Sequence, residues 1–412
     1  MSELQGWADL PEVLLHSVLP LLASFRDLLA FAATCPSWRA AYCAYPSKSA
    51  FTTLCPPLLL RPHPKNLQPL PFNRNLFESR DPTNLLSLNG RRRGSQVPAD
   101  SPYDLMVKFR KSLKAQIPHS FNDIATGISI PRRFPRLGKA TLSSTSSSSF
   151  FFIGASFGHL ILSSDNSCVI VDAFTGAKLS SPPLPGSRHS ELNLYGALTA
   201  PPASHNSHLV VSSTDPCSTF FWSVNTSKPW SEPTGSRRKI ALRHIVAFKG
   251  EVFGMDSYHR LFRVQLTPEV SVHKIQLVTR EGTLSKQRLA VSWLVPCGDA
   301  LLLIGVGSHG AIDAYRLEMS TELAKLVKVD RLDNCAIFIS NDERSQPLSC
   351  MNPEKWGGRS NVVYTPAPEK RQPRWLVSKL GQQLPINVEV RCEDFLQPAW
   401  AVPSIFSSCH DG

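Results

Sequence analysis

Between residues 10 and 39 the apolar positions recur at helical spacing, in three short pieces rather than one stripe. Leu10, Leu14, Ser17/Val18 and Leu21 mark a first helix. Val13, Leu15, Leu19 and Leu22 widen its apolar face beyond what a single buried stripe needs. Asp9 is the expected N-cap, with Pro11 near the first helical position, where a missing N–H costs nothing. Breaks at Leu22-Ala23-Ser24 and Cys35-Pro36 set off a second helix through Leu28-Leu29-Ala30-Phe31-Ala32-Ala33, opened by Ser24 or Phe25-Arg26-Asp27. Pro36 opens a third helix carrying Trp38, Arg39 and Tyr42. Three helices so short and apolar, in about 40 residues, fall below the size at which a core stabilises itself. Their excess apolar surface is covered either by the rest of the chain, as a helical cap, or by a partner.

From Phe150 onward the period shortens and β-rich runs succeed one another. FFFIGASFGHLILSS reads as two strands about Ser156-Phe157-Gly158, and SCVIVDAFTGAKL turns at residues 173–176. The runs HLVVSS, TFFWSVN, KIALRHIVAFKGEVFGMD, RLFRVQL, VHKIQLV, RLAVSWLVPCGDALLLIGVG, AIDAYRLEM, CAIFIS, NVVYTPA and RWLVSKL continue the pattern, with Lys-Gly, Cys-Gly-Asp and Thr-Gly turns between them. A strand, a turn near an Asp and a Leu-bearing strand recur in CVIVDAFTGAKL and VFGMDSYHRLFRV. Roughly 240 residues at about 40 per four-stranded blade make about six blades of a propeller; a large sandwich is the other architecture open at this point. The predicted fold class is α plus all-β, a three-helix N-terminal unit followed by a β-rich domain read as a β-propeller.

The helical stretch resembles the F-box pattern. Leu10-Pro11, Val13-Leu14, Leu19, Asp27-Leu28-Leu29, Cys35 and Trp38-Arg39 stand in that pattern's order: an LP opening, a central DLL, and a closing C/V-x-x-W-R. Cys35-Pro36 departs from it, replacing the usual basic or polar residue before the last helix. The resemblance implies docking on a Skp-type adaptor, and through it on a cullin-based ubiquitin ligase. The adaptor-binding residues it implies are Leu10, Pro11, Leu14, Leu28, Leu29 and Trp38, with Trp38 supporting the helix angle from inside.

The β-rich part resembles the C-terminal domain of plant F-box proteins of the KIB type. Its marks are a Gly-x-x-x-Gly segment with a following strand (154–162), an acidic-x-x-T-G-x-x-L element before a Pro-rich turn (172–185), and Phe248-Lys249-Gly250 leading to Phe253. Leu332-Asp333-Asn334-Cys335-Ala336-Ile337-Phe338 and then Asn361-Val362-Val363-Tyr364 complete them. Asp172-Ala173-Phe174 stands where that family has N-P. The resemblance covers residues 150–380 and implies a β-propeller.

Composition agrees with a folded chain: 42% hydrophobic and 18% charged residues over 412 positions. Of the formal net charge of +12, residues 61–140 supply +10, from fifteen Lys/Arg against five Asp/Glu. An excess confined to one Pro- and Arg-rich segment reads as a solvated linker, although apolar clusters at Leu58-Leu59-Leu60 and Leu85-Leu86 indicate that part of it packs. Ten cysteines occur without a C-x-x-C pair or a His spacing that completes a zinc set, which points to free thiols in a reducing compartment, nucleus or cytoplasm. Gly305-Val306-Gly307-Ser308-His309-Gly310 is formally G-x-G-x-x-G, but the next residues, Ala311 to Leu317, read as a return strand and no βαβ alternation surrounds them. No nucleophile elbow is present. No catalytic residue, cofactor or metal is expected.

The expected organisation is an F-box at 5–45, a basic linker at 46–140, a propeller-like domain at 141–400 and a tail at 401–412. The function it implies is that of a non-catalytic substrate-recognition subunit of a Skp-cullin-F-box ligase, binding an unknown substrate protein through the propeller. A regulatory protein-binding module with a degenerate F-box is the alternative. Nucleic-acid binding by 61–140 ranks third, because the six aromatics there form no stacking-module pattern.

Overall fold

The computed structural model describes residues 6–22, 25–45, 56–62, 118–123, 129–133, 150–164, 167–185, 194–214, 216–234, 239–279, 282–283, 291–307, 310–320, 323–340, 342–367, 375–383 and 399–402. Leu85-Leu86 and the Arg91-Arg92-Arg93 cluster lie outside the described residues. A 3-10 turn (Trp7–Asp9) precedes helix α1 (Glu12–Val18), which runs into a second 3-10 turn (Leu19–Leu21). Helices α2 (Phe25–Thr34) and α3 (Pro36–Ala44) follow. The start of α1 differs from expectation. Pro11, extended at ψ 142°, is the cap residue and supplies no side-chain hydrogen bond. Asp9 instead accepts the Gly6 N–H at 3.3 Å inside its own turn. The start of α3 is as expected, with Cys35 extended and Pro36 in the first turn.

In chain order the strands are β1 (Leu58–Pro62), β2 (Pro118–Asp123), β3 (Ser129–Arg133), β4 (Phe150–Ser156), β5 (His159–Ser164), β6 (Ser167–Asp172), β7 (Lys178–Ser180), β8 (Leu194–Leu198), β9 (His208–Thr214), β10 (Cys217–Ser223), β11 (Leu242–Phe248) and β12 (Glu251–Asp256). They continue with β13 (Leu261–Gln265), β14 (Ser271–Thr279), β15 (Gly282–Thr283), β16 (Val291–Cys297), β17 (Ala300–Val306), β18 (Ile312–Met319), β19 (Leu323–Val329), β20 (Cys335–Phe338), β21 (Leu348–Met351), β22 (Val362–Pro366), β23 (Trp375–Ser378) and β24 (Ala399–Ala401).

These strands form six blades among the described residues. Blade 1 is β24-β1-β2-β3, blade 2 is β4 to β7, and blade 3 is the three-stranded β8 to β10. Blade 4 (β11 to β14) and blade 5 (β16 to β19) are joined edge to edge by parallel pairing of Gln276–Thr279 with Leu323–Leu326. Blade 6 is β21-β20-β22-β23. Strands β1, β2 and β3 come from the stretch read as linker.

Each pair of neighbouring blades encloses one apolar cluster, and alternate residues of a strand serve opposite neighbours. Leu58 and Leu60 share a cluster with Phe152, Leu160 and Leu162 of blade 2, while Leu59 faces Phe338 and Tyr364 of blade 6. Ile161 faces blade 3 with Leu194, Leu209 and Phe220. Val210 and Phe221 pack on Leu242 and Phe262. Phe253 and Met255 meet Leu301 and Leu303, and Leu302 and Ile304 meet Ile337 and Val363. A strand covered on both sheet faces needs an unbroken apolar run, which is why LLL, HLIL and ALLLI do not alternate with polar residues. The β24–β1 pairing (Leu58↔Ala401, Leu60↔Ala399) joins the first and last described strands in one blade and closes the ring.

The Asp-turn repeat expected from the sequence is not structurally one repeat. Asp172 ends the third strand of blade 2, and Asp256 ends the second strand of blade 4. What they share is local: each carboxylate accepts the N–H two residues on, at 2.8 and 2.9 Å. The hairpin that does recur joins first to second strand, through Phe157-Gly158 in blade 2 and Lys249-Gly250 in blade 4, all at positive φ. Gly154 is required for another reason: a Cβ there would stand 1.8 Å from the Gly196 carbonyl oxygen of the next blade. The G-x-G-x-x-G stretch leads into strand β18, as read. Cys297 of β16 and Cys335 of β20 are brought together between blades 5 and 6, their Cα atoms 7.0 Å apart. Blade packing sets these residues side by side, a contact that their spacing of 38 along the chain does not reveal. Cys35, Cys168, Cys217 and Cys350 are free.

Blade 6 is entered in swapped order. The chain forms β20 first, then the innermost β21, then β22, which pairs parallel to β20. The described residues of the connection 339–347 cross the centre of the ring. Ala155 of β4 donates to the Arg344 carbonyl at 3.1 Å and accepts from the Gln346 N–H at 2.9 Å. Arg344 pairs with Asp342 at 2.8 Å, and Arg243 of β11 with Glu343 at 3.0 Å.

Candidate interaction surface

The three helices are locked together by side-chain to backbone bonds that bring distant turns into one unit. Trp38 Nε1 donates to the Trp7 carbonyl at 2.9 Å, and its ring lies 4.6 Å from that of Phe31. His16 Nε2 lies 2.9 Å from the Ala41 carbonyl, and Arg39 Nε donates to the Ala32 carbonyl at 3.2 Å. Trp38 therefore ties α3 to α2 and to the N-terminal turn at once.

One helical face is covered by the propeller. Leu15, Leu19, Leu28, Phe31, Ala41 and Tyr42 are buried in the cluster that also holds Leu58, Leu60, Phe152, Leu160 and Val171. The helices do not rely on a core of their own, so part of the excess apolar surface inferred from their size is taken up inside the chain. The buried stripe is the 15/19 pair at i, i+4 spacing, and the 14/21 stripe is the one left outside.

The outward face is apolar. Trp7 (79%), Val13 (74%), Leu14 (51%) and Leu21 (79%) are exposed, four of the seven large exposed hydrophobics among the described residues. Scattered single residues would need no explanation, but four within fifteen positions form a concentration. Of the six residues implied for adaptor binding, Pro11 and Leu14 are exposed on this side. Leu10 and Trp38 are partly buried against the core, and Leu28 lies inside it. The Leu29 side chain lies outside the described residues. Pro11 and Leu14 are thus exposed in the same stretch of chain, residues 7–21, as Trp7, Val13 and Leu21. Trp7 and Leu21 carried no role in the sequence reading: an isolated Trp ahead of the helix has no periodicity, and Leu21 read as part of a buried stripe.

Among the described residues the propeller adds one exposed aromatic. Tyr258 is 76% exposed in the β12–β13 turn, where Asp256 fixes its N–H and Arg260 stacks on its ring at 5.1 Å. The Leu332-to-Phe338 and Asn361-to-Tyr364 elements are spatial neighbours. Ala336 pairs with Val362 and Phe338 with Tyr364, their rings stacked 4.8 Å apart. Asn361, at φ 57°, accepts the Leu332 N–H through Oδ1 at 2.7 Å, which gives the Asn of that element its local reason. Among the described residues no group of three or more His, Cys, Asp or Glu is placed to hold a metal ion. Among them, too, no helix is long and apolar enough to cross a membrane.

The family model described as KIB1-4 beta-propeller matches residues 129–376, three fifths of the 412-residue chain. The chain belongs to the KIB1-4 beta-propeller family. The six blades are that propeller, and the family match takes in blades 2 to 5 whole, together with β3 and most of blade 6. No curated protein matches the chain's sequence. Similar solved structures include virginiamycin B lyase from Staphylococcus aureus, at 11% identity and TM-score 0.30 over 51% of this chain and 62% of that one. The N-terminal domain of Nup159 is similar at 7% identity and TM-score 0.28, over 52% and 56% of the two chains. The WD40 domain of SCAP from fission yeast is similar at 11% and TM-score 0.30, over 48% and 50%. The chain thus spans between half and two thirds of the length of these structures.

Proposed function

We propose that this KIB1-4 family member is a non-catalytic substrate-recognition subunit of a Skp-cullin-F-box ubiquitin ligase. Its N-terminal helices dock on the Skp-type adaptor, and its propeller holds a substrate protein so that the ligase acts on a nearby lysine. Proximity is the whole of its contribution to the chemistry. One observation carries the reading: the residues in F-box order fold into helices whose inner face is seated on the propeller, leaving Pro11 and Leu14 on an exposed apolar surface. Pro11 and Leu14 make the contact directly, whereas Leu10, Leu28 and Trp38 act by holding the helices in place. No cofactor or metal enters this role, and it places the protein in the nucleus or cytoplasm.

The test is co-expression of the full chain with a Skp-type adaptor and the N-terminal half of a cullin, followed by size-exclusion chromatography. Elution of all three as one species supports the proposal. A propeller protein that elutes alone, folded and apart from the adaptor, removes it and leaves the regulatory-module alternative.

A further inference from the structure

We infer that closure of the propeller ring and presentation of the N-terminal helices are coupled: α1 to α3 keep their place only while β24 is paired with β1. Two sets of contacts carry this. Val402, the residue after β24, packs against the same apolar cluster that buries Leu15, Leu19, Leu28, Phe31 and Tyr42 of the helical unit. Strand β1 stands between the two. It pairs with β24 from Leu58 to Leu60, and it sends Leu58 and Leu60 into that helical cluster. Leu59 and its cross-strand partner Trp400 belong instead to the cluster shared with blade 6. All three leucines are fully buried, and Trp400 is 3% exposed. The strand that closes the ring is therefore also the strand on which the helices are seated.

Helices this short draw most of their stability from tertiary packing rather than from their own turns. Release of β24 withdraws Val402 from the helical cluster, takes Trp400 from beside Leu59, and leaves one edge of β1 unpaired. Each loss loosens the strand that carries Leu58 and Leu60. The coupling is reciprocal, so whatever clamps the helices also holds β24 in place. It lies within the chain, and only its consequence for the ligase rests on the adaptor-docking reading above. A propeller whose closing strand has come away offers the adaptor no intact docking unit, and adaptor binding in turn tightens the ring.

Native-state amide hydrogen exchange of the full chain, read by mass spectrometry, tests this with Val402→Asp and Tyr258→Ala beside the wild type. Val402 is partly buried, and an Asp there sets a charge against the apolar cluster. Exchange in α1, α2 and β1 is expected to quicken at least about tenfold in Val402→Asp, while the strands of blade 4 keep wild-type rates. Tyr258→Ala, at an exposed site in blade 4, should leave the helices unchanged. Should Val402→Asp fail to fold, Val402→Ala takes its place, with a smaller rise expected in the same regions. Wild-type rates in the helices of the Val402 variant overturn the coupling, as does equal quickening in every blade. Addition of a purified Skp-type adaptor to the wild type should slow exchange in β24 as well as in the helices. Helices protected without β24 contradict the coupling, whereas no protection anywhere overturns the docking reading alone.

Discussion

Arg344 and Phe152, 192 residues apart, meet across the centre of the ring. Arg344 Nη1 donates to the Phe152 carbonyl at 2.9 Å, and the guanidinium lies 5.3 Å from the centre of the Phe152 ring. The same guanidinium pairs with Asp342, whose side chain is 7% exposed against 12% for Arg344. One connection of blade 6 therefore braces blade 2 by hydrogen bonds and blade 4 through the Glu343–Arg243 pair. The swapped entry into blade 6 is what sends this connection through the channel.

Removing one member of a buried pair leaves the other charge uncompensated. Arg344→Ala should therefore destabilise the propeller by about 3–5 kcal/mol. The Arg344→Met/Asp342→Leu double variant should cost less than the two single changes summed. Urea midpoints of the four proteins form the cycle that checks it, and strict additivity would count against a coupled brace.

Ring closure rests on β24. Trp400 is 3% exposed, donates to the Ile339 carbonyl at 3.1 Å and meets the Phe338 ring edge-on at 5.1 Å. Trp400→Ala should cost about 3–5 kcal/mol, as large-to-small core changes do. Tyr258→Ala, an equally drastic change at an exposed site, should stay within about 0.5 kcal/mol. Equal thermal midpoints for the two variants would show that blade 1 does not close the ring through this residue.

Two buried groups limit stability on opposite sides of neutrality. Burial first, then Arg243 and His259, push His244 down from 6.5 to about 3. The unfolded chain therefore takes up a proton that the folded one refuses. The His244 contribution is complete above pH 6.5 and is lost as pH falls toward 3, at up to about 1.4 kcal/mol per unit. Burial pushes the Cys168 thiol up from 9.0 to about 12, opposed by Ser181. That contribution is complete below pH 9 and is lost as pH rises toward 12. Chemical denaturation across pH should show a plateau between these limits, with His244→Gln flattening the acid arm. An unchanged acid slope in that variant would assign the loss to other groups.

Much of this architecture was legible in the chain. The three helices, the Pro36 start, the Lys249-Gly250 and Phe157-Gly158 hairpins and the strand after the glycine-rich stretch arise from local chemistry that the sequence states directly. The two sides of α1 were not legible, because Leu14/Leu21 and Leu15/Leu19 are equally good helical stripes and only the propeller's surface selects the second. Long-range pairings were hidden for the same reason. Nothing local in Leu58-Leu59-Leu60 announces that β1 will pair with residues 399–401, and nothing in Cys297 or Cys335 announces the other. The outward helical surface was half visible: Pro11 and Leu14 sit in a recognisable order, while the exposure of Trp7 and Leu21 follows from no local pattern.

The central claim is that the outward face of the N-terminal helices is an adaptor-docking surface carried on a closed propeller. The most direct measurement is the dissociation constant of the full chain for a Skp-type adaptor, taken beside the Leu14→Asp variant. Leu14 is half exposed, so the fold should survive the change. Saturable binding by the wild type, weakened at least about a hundredfold by a charge placed in a desolvated apolar contact, is the expected result. Equal affinity for both proteins, or none for either, would contradict the account.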